Sequence, residues 1–259
     1  MSHHKHSKKH ELAFGIDIGG SGIKGAPVDL EKGEFSADRL RIPTPKPATP
    51  DAVADTVAQI VDSFDLDKHV PIGVTFPAVM LHGVAQSAAN VDDSWIGTDA
   101  QKLFSDATGR RVVAVNDADA AGFAEVAYGA AADVPGVVLV VTLGTGIGSA
   151  LVVDGHLVPN TELGHLEVDG HDAESRAAES VRDREGLDWE QWAKRLQRYF
   201  TVVENLFWPD LIVVGGGVSK HHEDFLPLLD LRSKIVPAKL LNAAGIVGAA
   251  ALAAEERGD

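Results

Sequence analysis

Hydrophobic positions along the chain follow two alternating patterns. Short apolar runs bounded by polar or glycine residues predict buried strands, and stretches with apolar residues three or four positions apart predict helices. The predicted strands are Leu12–Ile16, "IKGAPVD", "DRLRIPTP", "VPIGVTFP", "RRVVAVND", Gly136–Val141 and "DLIVVGGG". The predicted helices are Asp51–Phe64 with Asp51 as its N-cap, "ADAAGFAEVAYGAA", Asp188–Phe207 and "NAAGIVGAAALAAEE". Strands that alternate with helices in this way predict the α/β fold class.

One segment of the pattern occurs twice. "VVTLGTGIGSALVVDG" (Val140–Gly155) resembles "GIDIGGSGIKGAPVD", with Gly144 in the place of Gly19. Each segment passes from an apolar strand through a glycine turn into a second apolar strand, which predicts a β-hairpin. Two such hairpins predict two related halves that face each other across a cleft. The alternative is a coincidence between two ordinary hairpins.

The composition of the chain excludes several classes of protein. The chain has 259 residues, no cysteine and a formal net charge of −15. Without cysteine it forms neither disulfides nor thiolate metal sites, which suits a reducing cytoplasm. An acidic body repels nucleic acid and anionic membranes, and no apolar run reaches the length of a membrane span. Residues 1–10, "MSHHKHSKKH", are expected to be a disordered tail or a tag.

Three glycine-rich segments are candidates for binding phosphate. Glycine lets the backbone approach a ligand closely, and successive N–H groups in such a turn form a nest for an anion. Asp17 lies beside the first segment, where it would hold hydrated Mg²⁺, and Lys24 supplies a positive charge. A hairpin can also use glycine for its geometry alone, and none of the segments matches a Walker or dinucleotide motif. The candidate phosphate-binding residues are Gly19, Gly20, Ser21, Gly22 and Lys24, then Gly144, Thr145 and Gly146, then Gly215, Gly216 and Gly217.

Two further segments carry side chains suited to a hydroxyl acceptor. "AVND" places Asn116 and Asp117 at the end of a buried strand, where polar groups are otherwise costly. Asp117 can accept the proton of a hydroxyl group while Asn116 orients the acceptor. The alternative is that Asp117 is merely the N-cap of the next helix. In "NTELGH", Glu162 and His165 can hydrogen-bond sugar hydroxyls in pairs, although a single His is more often structural.

These segments together resemble the sugar kinases of the ROK family, in the order found there and over roughly Leu12 to Ala254. The motifs that carry the resemblance are "DIGGSGIKG", "VNDADAAG", "LGTGIGSAL", "ELGH" and "IVVGGGVS". The resemblance implies an α/β fold of the two-domain hexokinase/actin-like (ribonuclease H-like) type, with a ligand cleft between the domains, and a homodimer. It also implies Asp117 as the catalytic base. The residues it implies for the sugar site are Asn90, Asn116, Glu162 and His165.

The domain division expected from this fold places residues 11–116 and 242–259 in a small domain and residues 117–241 in a large one. An actin-like filament protein would share the glycine turns, but it would have no use for Glu162 and His165 beside "VNDA".

The chain departs from the family at one place. ROK kinases usually carry a cysteine-rich zinc loop after the Gly-His pair, whereas this chain has "GHLEVDGHDAESRAAES" there. Structural zinc is therefore not expected, and Glu179 is the candidate for the sugar-binding glutamate that follows the zinc loop. This loss, with "SWIGTD", "WPDLIVVGGG" and "NAAGIVGAAAL", resembles actinobacterial members that phosphorylate glucose from inorganic polyphosphate, in some cases also from ATP. The alternative is a strictly ATP-dependent hexokinase of the same family, acting on glucose or a related sugar.

A long polyanion needs a positive track that continues beyond the cleft, and on so acidic a chain such a track must be local. The helix segment "AKRLQR" offers Lys194, Arg195 and Arg198, and Lys220 lies next to the third glycine segment. We predict that these four residues bind polyphosphate. The alternative for the helix cations is a solvated face paired with acids such as Glu190.

Overall fold

The computed structural model describes residues 11–88 and 91–256, and it confirms the α/β class. The expectation for residues 1–10 and the assignment of Asn90 lie outside the described residues. The strands are β1 Leu12–Gly19, β2 Gly22–Asp29, β3 Glu34–Phe35, β4 Leu40–Ile42, β5 Ile72–Phe76, β6 Met80–Leu81, β7 Val84–Ala85, β8 Val112–Asn116, β9 Val137–Leu143, β10 Ile147–Val153, β11 His156–Val158, β12 Glu167–Val168, β13 His171–Asp172, β14 Leu211–Gly215 and β15 Lys234–Pro237. The α-helices are α1 Pro50–Asp62, α2 Ala100–Thr108, α3 Asp117–Ala127, α4 Glu174–Ala177, α5 Glu179–Glu185, α6 Trp189–Phe207, α7 His222–Phe225 and α8 Ala244–Glu255.

Two sheets repeat one topology. The first has the order β3-β2-β1-β5-β8, with β4 also paired to β2, and the second has the order β11-β10-β9-β14-β15. Each contains an antiparallel hairpin, β1–β2 or β9–β10, whose first strand then pairs in parallel with a strand much later in the chain. The predicted relation between the two halves is thus confirmed. A coincidence between two hairpins would not extend to the order of five strands.

The C-terminal helix α8 packs directly on the first sheet. Gly15 of β1 and Gly73 of β5 lie against the backbone carbonyls of Ile246 and Ala249, where a methyl group would overlap the oxygen. On its other side, Gly248 lies equally close to the backbone of Ala120 in α3. These glycines let a helix approach two neighbours at backbone distance. The last helix of the chain is thereby placed beside the first strand.

Each sheet has its own hydrophobic core. Between the first sheet and helices α1 and α2, Phe76, Trp95 and Phe104 are fully buried, and the rings of Phe76 and Trp95 lie 4.3 Å apart. On the second sheet, α6 buries Trp192 and Phe200. Helix α6 starts with a capping box, in which Asp188 accepts from the N–H of Gln191 and the Gln191 side chain accepts from the N–H of Asp188. None of the helices formed by the described residues is both long enough and apolar enough to cross a bilayer.

Two details of the predicted helices are wrong. Helix α1 begins at Pro50 after Thr49, so Asp51 lies within the first turn and is not the N-cap. Proline fits the first helical position because it lacks the N–H that has no partner there. Helix α2 was not predicted at all, although Asp99 caps it by accepting from Lys102 N–H at 2.8 Å.

Candidate active site

A cavity of about 660 Å³ lies between the two sheets. Its wall comes from the loop after β5, the start of α3, the β9–β10 turn and the segment that runs from Glu162 to Glu174. The residues that line it are Pro77, Ala78, Val79, Ser87, Ala88, Asn116, Asp117, Ala118, Thr142, Leu143, Gly144, Thr145, Gly146, Ile147, Gly148, Ser149, Glu162, His165, Glu174 and Gly216. Eight of the predicted site residues therefore meet in one cavity: Asn116, Asp117, Gly144, Thr145, Gly146, Glu162, His165 and Gly216.

Asn116 holds the start of α3 beneath this cavity. Its Oδ1 accepts from the N–H groups of Ala118 and Asp119 at 2.8 and 3.0 Å, which makes Asn116 the N-cap of the helix. Its Nδ2 donates to the carbonyl of Ala78 at 2.9 Å, across to the loop after β5. The alternative interpretation of Asp117 as the N-cap is thus wrong, because the preceding residue already fills that position.

Asp117 is the first residue of α3, and its carboxylate faces the cleft. Its Oδ1 accepts from Ala118 N–H at 2.9 Å. The pKa of Asp117 is raised from 3.8 to about 6, chiefly by desolvation in the cleft and to a lesser extent by the negative charges of Asp17 and Glu162, against the opposing effect of the hydrogen bond from Ala118. A carboxylate with such a pKa is ionised at neutral pH and is a stronger base than an ordinary aspartate.

Glu162 and His165 line the cavity together with Glu174, and Asp172 lies next to His165; neither Asp172 nor Glu174 was predicted. The Nδ1 of His165 lies 2.8 Å from Oδ2 of Asp172, a contact that orients the ring and raises the pKa of His165. Burial, together with the charge of Glu174, raises the pKa of Glu162, while His165 lowers it. The ring nitrogen Nε2 of His165 is therefore the one that a ligand would use.

Glu174, rather than Glu179, lies in the cavity. Its Oε2 accepts from Ile147 N–H at 3.1 Å, at the base of the β9–β10 turn. Glu179 starts α5 on the far side of that turn, where burial raises its pKa and the charge of Lys220 lowers it. His165, Asp172 and Glu174 place one ligand atom each within 4.8 Å of one another. These atoms already have the protein hydrogen-bond partners described above.

Two basic side chains, Lys24 and Arg41, lie beside the first glycine turn, which joins β1 to β2. Asp17 and Lys24 face each other in the hairpin register, and Lys24 Nζ lies 3.4 Å from Asp17 Oδ2. Thr75 donates to the other Asp17 oxygen at 3.1 Å. Arg41, next to Lys24 on the neighbouring β4, donates to the carbonyl of Ser21 at 2.7 Å. Arg41 was not predicted, because its proximity to the turn depends on the pairing of β4 with β2.

The second and third glycine segments touch each other. Gly216, with φ +85°, lies against the backbone of Leu143, where any side chain would clash. Ser180 fixes the second turn by donating its N–H to the carbonyl of Gly144 at 3.1 Å and its hydroxyl to that of Thr145 at 2.6 Å. Lys220 follows in the 3₁₀ turn Gly217–His221. Residues of both glycine segments therefore line the cleft, whereas Lys220 is exposed and is not among the lining residues.

The helix cations lie elsewhere. Lys194, Arg195 and Arg198 line a separate depression of about 370 Å³ with Asp169 and Arg176. Arg195 pairs with Glu185 at 2.6 Å, and Arg198 makes a two-point contact with Asp169 at 2.7 and 2.9 Å. The structure thus does not bring these cations to the cleft. Acids are the partners of the two arginines, as the alternative interpretation held, although these acids are Glu185 and Asp169 and not Glu190.

The comparison with known proteins decides the family. The sequence pattern of the ROK family matches residues 13–181. The chain belongs to the ROK family. This ROK chain is 52% identical over 238 residues to the polyphosphate glucokinase of Mycobacterium tuberculosis (strain CDC 1551 / Oshkosh). The aligned residues cover 92% of this chain and 89% of the relative.

Solved structures confirm the predicted fold class. The inorganic polyphosphate/ATP-glucomannokinase from Arthrobacter sp. strain KM is 56% identical to the ROK chain and superposes with a TM-score of 0.89, covering 95% of this chain and 99% of that one. A ROK family glucokinase from Streptomyces griseus, solved with glucose and AMPPNP, is 23% identical with a TM-score of 0.78, covering 94% and 99%. The fold of this ROK protein is the two-domain hexokinase/actin-like α/β fold.

Proposed function

We propose that this ROK protein transfers a phosphoryl group from inorganic polyphosphate to the 6-hydroxyl of glucose, which yields glucose 6-phosphate. The observation that carries the proposal is the position of Asp117 in one cleft, which residues of two glycine segments and the hydroxyl-binding side chains Glu162 and His165 also line. The 52% identity to a polyphosphate glucokinase and the 56% identity to a polyphosphate/ATP-glucomannokinase support this donor and this acceptor.

Asp117 is the proposed general base. As the O6 oxygen attacks the terminal phosphorus, its proton passes to the Asp117 carboxylate, the bond from that phosphorus to the bridging oxygen breaks, and a polyphosphate shorter by one unit leaves. Asn116 supports this step by fixing the first turn of α3, from which Asp117 projects.

Glucose binding is proposed for Asn116, Glu162 and His165, with Asn90 kept as a further candidate. We assign the additional glutamate of the acceptor site to Glu174, since it lines the cleft and Glu179 does not. Carboxylates and an oriented imidazole accept and donate the paired hydrogen bonds that vicinal hydroxyls require.

Donor binding is proposed for the three glycine segments, whose N–H groups are suited to phosphate oxygens. Gly19, Gly20, Ser21 and Gly22 would act from the first sheet, and Gly144, Thr145, Gly146, Gly215, Gly216 and Gly217 from the second. The proposed cationic track consists of Lys24, Arg41 and Lys220. Lys194, Arg195 and Arg198 line a separate depression, and both arginines are paired with acids, so we place these three residues outside this track.

Magnesium fits the oxygen donors at the first turn. The charge of Asp17 raises the pKa of Asp117 across the cleft, and a divalent cation would relieve this repulsion between two carboxylates. Asp17 would hold Mg²⁺ through water, and the ion would neutralise the charge on the donor phosphates. Thr75 and Lys24 keep the Asp17 carboxylate in place.

The proposal also covers domain motion, oligomeric state and cellular location. We propose that residues 11–116 and 242–259 move as one domain against residues 117–241, closing on glucose to exclude water. We also propose a cytoplasmic homodimer without structural zinc. Analytical ultracentrifugation and zinc analysis of the purified protein test the last two points.

The deciding experiment measures glucose 6-phosphate formation with polyphosphate and with ATP in parallel, at equal Mg²⁺. We expect product with polyphosphate. Because the Arthrobacter relative is a polyphosphate/ATP-glucomannokinase, activity with ATP as a second donor is also compatible with the proposal. Activity with ATP alone would exclude polyphosphate as the donor and favour the ATP-dependent hexokinase.

A further inference from the structure

The loop that follows β5 is attached to both halves of the cleft. Pro77, Ala78 and Val79 line the same cavity as Glu162 and His165. The part of the cleft that these two proposed glucose-binding side chains line is called its acceptor end. Asn116 holds the carbonyl of Ala78, as described above, and Ser87 Oγ accepts from Val79 N–H at 3.1 Å. The next residue, Met80, begins β6, and both of its backbone polar groups are bound from the other half of the cleft.

The partner of Met80 is Asn160. Oδ1 of Asn160 accepts from Met80 N–H at 2.8 Å, and Nδ2 donates to the Met80 carbonyl at 2.9 Å. The side-chain amide thus pairs with a peptide group as a neighbouring strand would. Only an amide of this length provides both the acceptor and the donor, since aspartate lacks the donor and glutamine is longer by one methylene.

Asn160 is itself fixed by its backbone. Its φ is +59°, a left-handed conformation that asparagine tolerates better than most residues. Its N–H donates to Oδ2 of Asp119 at 2.8 Å, and Asp119 is almost completely buried in the first turn of α3. Asn160 therefore joins the loop before Met80 to the helix turn that carries Asp117. It also lies two residues before Glu162.

We propose that Asn160 is a positioning residue that clamps the loop of residues 77–80 to the segment of residues 160–165, and so fixes the width of the acceptor end of the cleft. Three parts of that end meet at this side chain: the loop, the turn with Asp117, and the segment with Glu162 and His165. The consequence for glucose rests on the proposed function, whereas the clamp itself does not.

The test uses Asn160→Gly, which keeps the left-handed backbone but removes both side-chain hydrogen bonds, and Asn160→Asp, which removes the donor alone. The control is Asp154→Gly. Asp154 also has a left-handed backbone, φ +48°, and its side chain accepts from Gly136 N–H at 2.8 Å in the β10–β11 turn, remote from the cavity. Asp154→Gly therefore shows how much activity and amide protection change when a left-handed turn residue with a side-chain hydrogen bond is replaced away from the cavity.

We expect both Asn160 variants to lower kcat/KM for glucose by about 10–100-fold, because small misplacements of a reacting group are costly. The KM for polyphosphate should stay within about twofold, and Asp154→Gly should leave both values unchanged. Hydrogen–deuterium exchange of the Met80 amide should become at least about tenfold faster in Asn160→Gly, which loses the acceptor of that N–H. Asn160→Asp keeps this acceptor and Asp154→Gly does not touch it, so exchange should change little in both.

The two readouts separate the possible failures. If the wild-type protein phosphorylated no sugar, the proposed function would fail, yet exchange at Met80 would still test the clamp. Unchanged exchange at Met80 in Asn160→Gly would overturn the clamp. Faster exchange with an unaltered kcat/KM for glucose would overturn its positioning role.

Discussion

Replacement of Asp117 by Asn is expected to reduce catalysis while stabilising the fold. The substitution keeps the size of the side chain and its hydrogen bond from Ala118, but it removes the ability to accept a proton. General-base catalysis contributes roughly 10²–10⁴-fold to a rate, so kcat should fall by at least about that factor. Glucose binding, measured by calorimetry, should change little.

The effect on stability follows from the raised pKa of Asp117. A shift from 3.8 to about 6 means that the folded state binds this proton more tightly than the unfolded state does. The free energy of unfolding therefore falls as pH rises through this interval, and the full cost is present above about pH 6. At about 1.4 kcal/mol per pKa unit the cost would be about 3 kcal/mol, but the carboxylate also contacts solvent in the cleft. Screening of the Asp117 charge by this solvent reduces the expected loss in the free energy of unfolding to about 1 kcal/mol.

Two assays check this reasoning. Thermal unfolding of wild type and Asp117→Asn should give a Tm about 2–4 °C higher for the variant at pH 8. The two proteins should agree near pH 4, where both side chains are neutral. In the wild type, kcat/KM should decline below about pH 6, the folded pKa of the base. Near-normal turnover of the variant would refute the base assignment, and equal Tm values at pH 8 would refute the raised pKa.

Three further comparisons test other parts of the site and the fold. Lys220→Glu should raise the KM for long polyphosphate severalfold, and this increase should be smaller at high salt, whereas Arg198→Glu should leave the KM unchanged. If both variants raised the KM equally, the helix cations would belong to the proposed track. Glu174→Gln should raise the KM for glucose by about tenfold and Glu179→Gln should not, as steady-state kinetics with varied glucose would show; the reverse order would restore Glu179. Gly15→Ala should lower Tm by several degrees, because its methyl group meets the Ile246 carbonyl, and an unchanged Tm in calorimetry would contradict that packing.

Local sequence patterns predict the elements of this fold well where the pattern is long or repeated. The glycine hairpins and the long helix α6 are examples, since strand alternation, capping by Asp188 and helical spacing act within a few residues. The start of α1 and the existence of α2 were missed. Helix α2 has only nine residues, so its helical spacing of apolar residues, Ala100, Leu103 and Phe104, extends over little more than two turns and was overlooked.

The site was predictable to the extent that its residues lie in continuous motifs. Asn116, Asp117, Glu162 and His165 were identified in this way, and the cleft brings them together. Arg41, Asn160 and Glu174 were missed because their positions depend on tertiary contacts: β4 beside β2, the segment before Glu162 beside Met80, and α4 beneath the β9–β10 turn. No short-range spacing encodes such contacts.

The distribution of charge explains how a chain with a net charge of −15 could use a polyanion as its donor. Arg195 and Arg198, which form part of the cationic segment "AKRLQR", are neutralised by acids on the protein. At the first glycine turn the balance is the opposite. Lys24 and Arg41 are adjacent across β2 and β4, and among the described residues Asp17 is the one acid that forms an ion pair with either of them, with Lys24. If Mg²⁺ occupied the Asp17 carboxylate, Lys24 would be released toward phosphate. A local excess of positive charge at the cleft, rather than the net charge of the chain, would then determine which donor binds.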